Sequence, residues 1–133
     1  MSAWKRIALE KLPECRQVIE SADNPMALWI ELQLKFEEVY VDGYRDEDLI
    51  RRFFEYARWC IKCPGDAQYL SDAGTAAICV FYEHLPERGV IRRDLPRWIT
   101  REEFDNLRET FRYHLSDREF AEFEGEFLEH WRR

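Results

Sequence analysis

Two cysteines in Trp59-Cys60-Ile61-Lys62-Cys63 have the spacing of a dithiol redox pair or of half a zinc site. Redox use needs the first cysteine at a helix N-terminus, where the dipole lowers the thiol pKa. Here Pro64-Gly65 follows the pair and ends a helix, so the dipole acts the other way. With Cys79 and His84 the pair has the composition of a Cys3His zinc site. Yet Cys79 and His84 lie roughly 140° apart around an α-helix and reach one ion only if that helix ends early. Free cysteine is also among the most buried residue types and behaves as a small apolar group.

The histidines are His84, His114 and His130, and no serine or thiol pairs with them at a recognisable spacing. Glu83 and His84 are an acid–base combination by type, but neighbours on a helix point apart. His84 at a helix C-terminus is explained by the dipole, which favours protonated imidazole there. His114 sits beside the apolar face of its helix, the place of a rim histidine. No Glu-x-x-His occurs, which counts against a di-iron bundle. Arg88, Arg92, Arg93, Arg97 and Arg101 crowd one stretch against Glu87 and Asp94, a candidate anion or phosphate site with Trp98 as its aromatic neighbour. A solvated loop is the plainer reading. Glu119, Glu122, Glu126 and Glu129 form one ribbon on the last helix, a candidate surface for a basic partner.

The elements that must position these groups all read as helical. Ala73–Leu85 is uncharged from Ala73 to Tyr82 and apolar all round, which places it in a core. Its alanines, the N-cap candidates Ser71 and Asp72, and Pro86 as a stop predict a buried central helix, with Ala76 and Ala77 allowing close approach. Ahead of it come Ala3–Leu12, then a short helix opened by Pro13, then a helix from Asn24-Pro25 to about Val41. On the last of these, Gln33 and Glu37 interrupt the apolar arc, as buried polar groups or as a groove rim. Asp42-Gly43 marks a turn, and Asp46, Glu47 and Asp48 open a helix running to about Cys63. Its apolar positions span roughly 220° of arc, so it should touch neighbours on two sides. Glu87–Ile99 reads as an irregular crossing. Thr100 with Glu103, and Ser116 with Glu119, have capping-box spacing, opening helices Arg101–Leu115 and Asp117–Trp131.

The pieces Leu12-Pro-Glu-Cys15, Leu28-Trp-Ile-Glu-Leu32, Asp46–Cys60, Phe81-Tyr-Glu-His-Leu-Pro86, Asp94-Leu-Pro-Arg-Trp98 and Phe111-Arg-Tyr-His-Leu115 resemble a family of small uncharacterised bacterial proteins, a domain of unknown function. That resemblance implies a single helical domain without an assigned activity. Some small acidic helical proteins of this sort are immunity factors for bacterial toxins, an analogy that points to a basic protein partner.

The expectation is therefore an all-α, single-domain multi-helix bundle over residues 1–133 around Ala73–Leu85. A net charge of -7 argues against nucleic acid and anionic membranes, which would repel it. No apolar run approaches the length of a membrane span, so a cytoplasmic protein with reduced cysteines is expected. No cofactor is implied. The leading functional expectation is a non-enzymatic, protein-binding or regulatory, immunity-like protein, with Glu119, Glu122, Glu126 and Glu129 contacting a basic protein. The alternative is a metal-binding or hydrolytic enzyme using Cys60, Cys63, Cys79 and His84, or Glu83 and His84.

Overall fold

A computed structural model describes residues 1–41, 45–63 and 72–132. Among the described residues every regular element is helical and no strand forms. None of these helices is long and apolar enough to cross a membrane. The predicted turn at Asp42-Gly43, the stop at Pro64-Gly65 and the cap candidate Ser71 lie outside the described residues. Contacts divide the chain into two compact units, Met1–Phe81 and Tyr82–Arg133.

The first unit contains α1 (Ala3–Lys11), a 3-10 turn (Pro13–Cys15), α2 (Arg16–Ser21), α3 (Pro25–Val39), α4 (Glu47–Lys62), α5 (Ala73–Ala76) and a π-turn (Ala77–Phe81). The starts of α3, α4 and α5 are set by side-chain caps. Asn24 accepts from the Ala27 N–H at 2.8 Å, Asp46 from Leu49 at 3.1 Å and Asp72 from Thr75 at 3.1 Å. The wide apolar arc of α4 meets neighbours on two sides, as predicted. On one side Tyr56 Oη donates to the Trp4 carbonyl at 2.9 Å and Arg52 donates to the Lys11 carbonyl at 2.9 Å. On the other lies an aromatic core. The Trp29 ring stacks on Tyr56 at 5.3 Å and lies 5.0 Å from Phe81, while Phe36 meets Phe53, Phe54 and Phe81 edge-on. Such edge-to-face contacts add to the burial of large rings.

The α5 segment approaches α4 closely at Gly74. A Cβ there would stand 3.1 Å from the Cys60 carbonyl oxygen of α4. The apolar surface of α3 is wider than its neighbours cover: Ile30 and Leu34 are about half exposed (51% and 55%) while Gln33 is buried. Gln33 Nε2 donates to Glu37 at 3.2 Å, so of the two predicted options Gln33 takes the buried one.

The central stretch corrects one expectation. Ala73–Leu85 is buried at Ala73, Gly74, Ala76, Ala77, Phe81, Tyr82 and Leu85, but it is not one α-helix. It passes from α5 through the π-turn into a 3-10 turn, Tyr82–Glu87, that contains Pro86 instead of stopping before it.

That 3-10 turn opens the second unit. It is followed by α6 (Gly89–Asp94), a 3-10 turn (Leu95–Arg97), α7 (Arg101–Asn106), α8 (Arg108–Arg112) and α9 (Asp117–Arg132). The predicted irregular crossing Glu87–Ile99 is thus largely helical. Its organiser is Asp94, a buried carboxylate that accepts from Trp98 Nε1 at 2.8 Å and from Arg97 at 3.2 Å. The predicted helix Arg101–Leu115 is divided at Leu107. Both capping boxes form. Glu103 N–H donates to Thr100 Oγ1 at 3.0 Å and Thr100 N–H to Glu103 at 2.9 Å. The matching bonds at Ser116 and Glu119 are 3.1 Å each. Phe104, Phe111, Phe120, Phe123 and Phe127 form the core between α7, α8 and α9. Trp131, near the end of α9, is 46% exposed.

Candidate metal-binding site

The second unit brings together the side chains of His84, Glu87 and His114, with Glu83 behind them. The 3-10 pitch is what assembles this group. With three residues per turn, positions i and i+3 eclipse. Tyr82 and Leu85 share the inward face and are fully buried. His84 and Glu87 share the outward face, and His84 Nδ1 lies 2.9 Å from Glu87 Oε1. Glu83 and Pro86 form the third face, where the Glu83 side chain is only 12% exposed.

His114 arrives from the turn that follows α8. Its ring stacks on His84, with centroids 4.6 Å apart and planes 22° from parallel. Its Nε2 lies 3.1 Å from Glu83 Oε1. Phe111, three residues earlier, anchors that end of the chain in the phenylalanine core. The result is two imidazoles in register, each with a carboxylate on a ring nitrogen.

One ligand atom from each of His84, Glu87 and His114 lies within 4.8 Å of the others, the one such group among the described residues. Donors around a tetrahedral ion with bonds of about 2.0–2.1 Å stand roughly 3.4 Å apart. His84 Nδ1 and Glu87 Oε1, 2.9 Å apart, are already inside that spacing, and Glu87 and His114 are exposed side chains. Imidazole with carboxylate is a donor set for zinc and its first-row neighbours, not for magnesium or calcium, which prefer oxygen alone.

The predicted sites fare differently. Cys60, Cys63 and Cys79 form no such group among the described residues. Cys60 is fully buried, and burial pushes its thiol up to about 12, against a smaller opposing effect of the Trp29 N–H and Tyr56 hydroxyl. Burial also raises the Cys15 thiol. Such thiols are poor nucleophiles and poor metal ligands near neutral pH. Glu83 and His84 do not pair with each other: Glu83 reaches His114, and His84 reaches Glu87.

The arginine set is divided among carboxylates. Arg92 forks onto Glu126 at 3.0 and 3.1 Å, Arg97 takes Asp94 and lies over the Trp98 ring, and Arg88 and Arg93 are exposed. The acidic ribbon is correspondingly committed in part. Glu126 holds Arg92, Glu122 lies 3.4 Å from Arg118, and Glu119 closes the Ser116 capping box, whose N–H and hydroxyl keep its carboxyl below the usual range. Glu129 is exposed. The sequence did not mark Glu87 as a member of this group, nor the arrival of His114. The available signal was His84-Leu-Pro-Glu87, in which a proline inside the segment disfavours an α-helix.

No protein-family model, curated protein or solved structure gives a significant match to this chain.

Proposed function

We propose that this protein binds a divalent transition-metal ion of the zinc type through His84, His114 and Glu87. The observation that carries this reading is the convergence of two imidazoles and a carboxylate from separate elements of one unit. An ion there would tie the 3-10 turn to the chain end of α8. Because it would bind the folded form, it would stabilise the fold by mass action, by about 2.7 kcal/mol when the ion is present at a hundred times its dissociation constant. Titration calorimetry with zinc chloride tests this. One equivalent should bind wild type, His84→Ala and His114→Ala should each lose at least tenfold in affinity, and Cys63→Ser should bind as wild type does. Wild-type binding that survives both histidine substitutions would refute the assignment.

A second reading, a basic protein partner on α9, draws support from the exposure of Glu119, Glu122 and Gly125 on that helix. Among the described residues nothing lies within 4 Å of the position a Gly125 Cβ would take. The glycine therefore packs against no described residue, and a partner could approach closely there.

A further inference from the structure

Resting on the metal reading, we propose that Glu83 is a positioning residue for His114: its carboxylate accepts the Nε2–H and turns Nδ1 toward the ion.

Three observations carry it. Glu83 Oε1 is 3.1 Å from His114 Nε2, within hydrogen-bond reach. The Glu83 side chain is 12% exposed against 34% for His114, so the carboxylate is the fixed member of the pair and the ring the adjustable one. The His84 ring, stacked on His114 with centroids 4.6 Å apart and planes 22° from parallel, packs against one face of the His114 ring and opposes its turning over.

A neutral imidazole has one N–H and one bare nitrogen. An ionised carboxylate only accepts, so Glu83 selects the tautomer with its proton on Nε2 and leaves Nδ1 as the bare nitrogen. A carboxylate placed on the far nitrogen of a metal-bound histidine also raises the basicity of the ligating one. His84 is arranged the other way. Its Nδ1 faces Glu87, which belongs to the candidate ligand group, so the ion would replace that contact, whereas the Glu83 contact would persist beneath it. This gives Glu83, mostly buried and outside the ligand group, a role that the ion-pair geometry alone does not.

Two measurements on the full chain test the proposal. The first is zinc affinity by calorimetry. Glu83→Ala should weaken binding about 10–100-fold. Glu83→Gln, whose side-chain carbonyl accepts the same N–H, should recover most of that loss. The second is the His114 tautomer in metal-free protein, read from the nitrogen chemical shifts of the ring. Wild type should show the Nε2–H form, and Glu83→Ala should shift the population toward a mixture. The metal reading alone fails if wild type binds no zinc; the tautomer measurement then still decides on Glu83. Positioning by Glu83 is overturned if Glu83→Ala binds zinc within about twofold of wild type. It is equally overturned if Glu83→Gln is as weak as Glu83→Ala, or if the His114 tautomer is the same with and without the carboxylate.

Discussion

Two glycines in helical segments should respond in opposite directions to the same substitution. Alanine in place of glycine inside a helix gains about 0.8–1.0 kcal/mol from propensity alone. At Gly125 the new methyl meets no described residue within 4 Å, so Gly125→Ala should collect nearly all of that gain. At Gly74 the methyl would stand 3.1 Å from the Cys60 carbonyl oxygen, 3.3 Å from Asp72 Oδ1 and 3.7 Å from Ile61 Cα. Two of those three neighbours are backbone of α4, held by the helix ladder and by the buried aromatic core, and they yield only by shifting the helix. The third is the carboxylate that caps α5 by accepting from Thr75 at 3.1 Å. Overpacking of this kind costs about 1–3 kcal/mol. The propensity gain is also small at Gly74, because α5 is a single turn. Gly74→Ala should therefore lose about 1–2 kcal/mol, and the two variants should differ by about 2–3 kcal/mol. Urea denaturation followed by circular dichroism reads both, with unchanged m-values certifying that stability alone has moved. Gly74→Ala as stable as Gly125→Ala would show that α5 and α4 are not in close contact, and the packing described for the central stretch would be wrong.

The remaining predictions concern charge. Arg52 donates to Glu14 through both arms of its guanidinium, 2.6 Å through one, and this holds the Glu14 carboxyl below its ordinary value of 4.5. A depressed carboxyl stabilises the fold above its unfolded pKa, and the contribution disappears as pH falls through the folded value. With Glu14 45% exposed, the pair is worth no more than about 1 kcal/mol. Glu14→Gln should thus lower the denaturation midpoint at about pH 7, and by less as pH falls below 4.5, and a difference that persists undiminished in acid would refute the pairing. On α9, replacing Glu122 and Glu126 together with glutamine should cost up to about 1 kcal/mol, less in high salt, because both carboxylates face arginines within the chain. A gain in stability instead would mark the ribbon as strained surface and favour the basic-partner reading.

Much of the fold is legible in the sequence because its helix starts are marked by local chemistry. Asn24, Asp46, Asp72, Thr100 and Ser116 each cap through contacts three residues away, and these work without knowledge of the tertiary structure. Apolar arcs were equally direct: the breadth of α4 already implies two packed sides. What stays hidden depends on distant partners. The helical character of Gly89–Arg97 is secured around the buried Asp94 carboxylate and its Trp98 and Arg97 donors, an arrangement that a run of arginines does not announce. The exposure of Ile30 and Leu34 likewise depends on which neighbours cover α3, not on α3 itself.

The candidate site was illegible for one physical reason, helical pitch. Read as an α-helix, residues 82–87 put His84 and Glu87 about 60° apart on a segment assumed to end at Pro86. A 3-10 turn tolerates the proline and eclipses the two side chains. The same change of pitch sets Glu83 off the outward face, so that it meets His114 while its neighbour His84 meets Glu87. In the sequence, adjacent residues that point apart on a helix weaken Glu83 and His84 as a functional pair. In the folded unit that divergence lets each take a separate partner, and His114 closes the arrangement from the far side. The cysteines, by contrast, had suggestive spacing but no shared geometry, since spacing along one helix says nothing about the pitch or burial of the segment that must supply the other ligands.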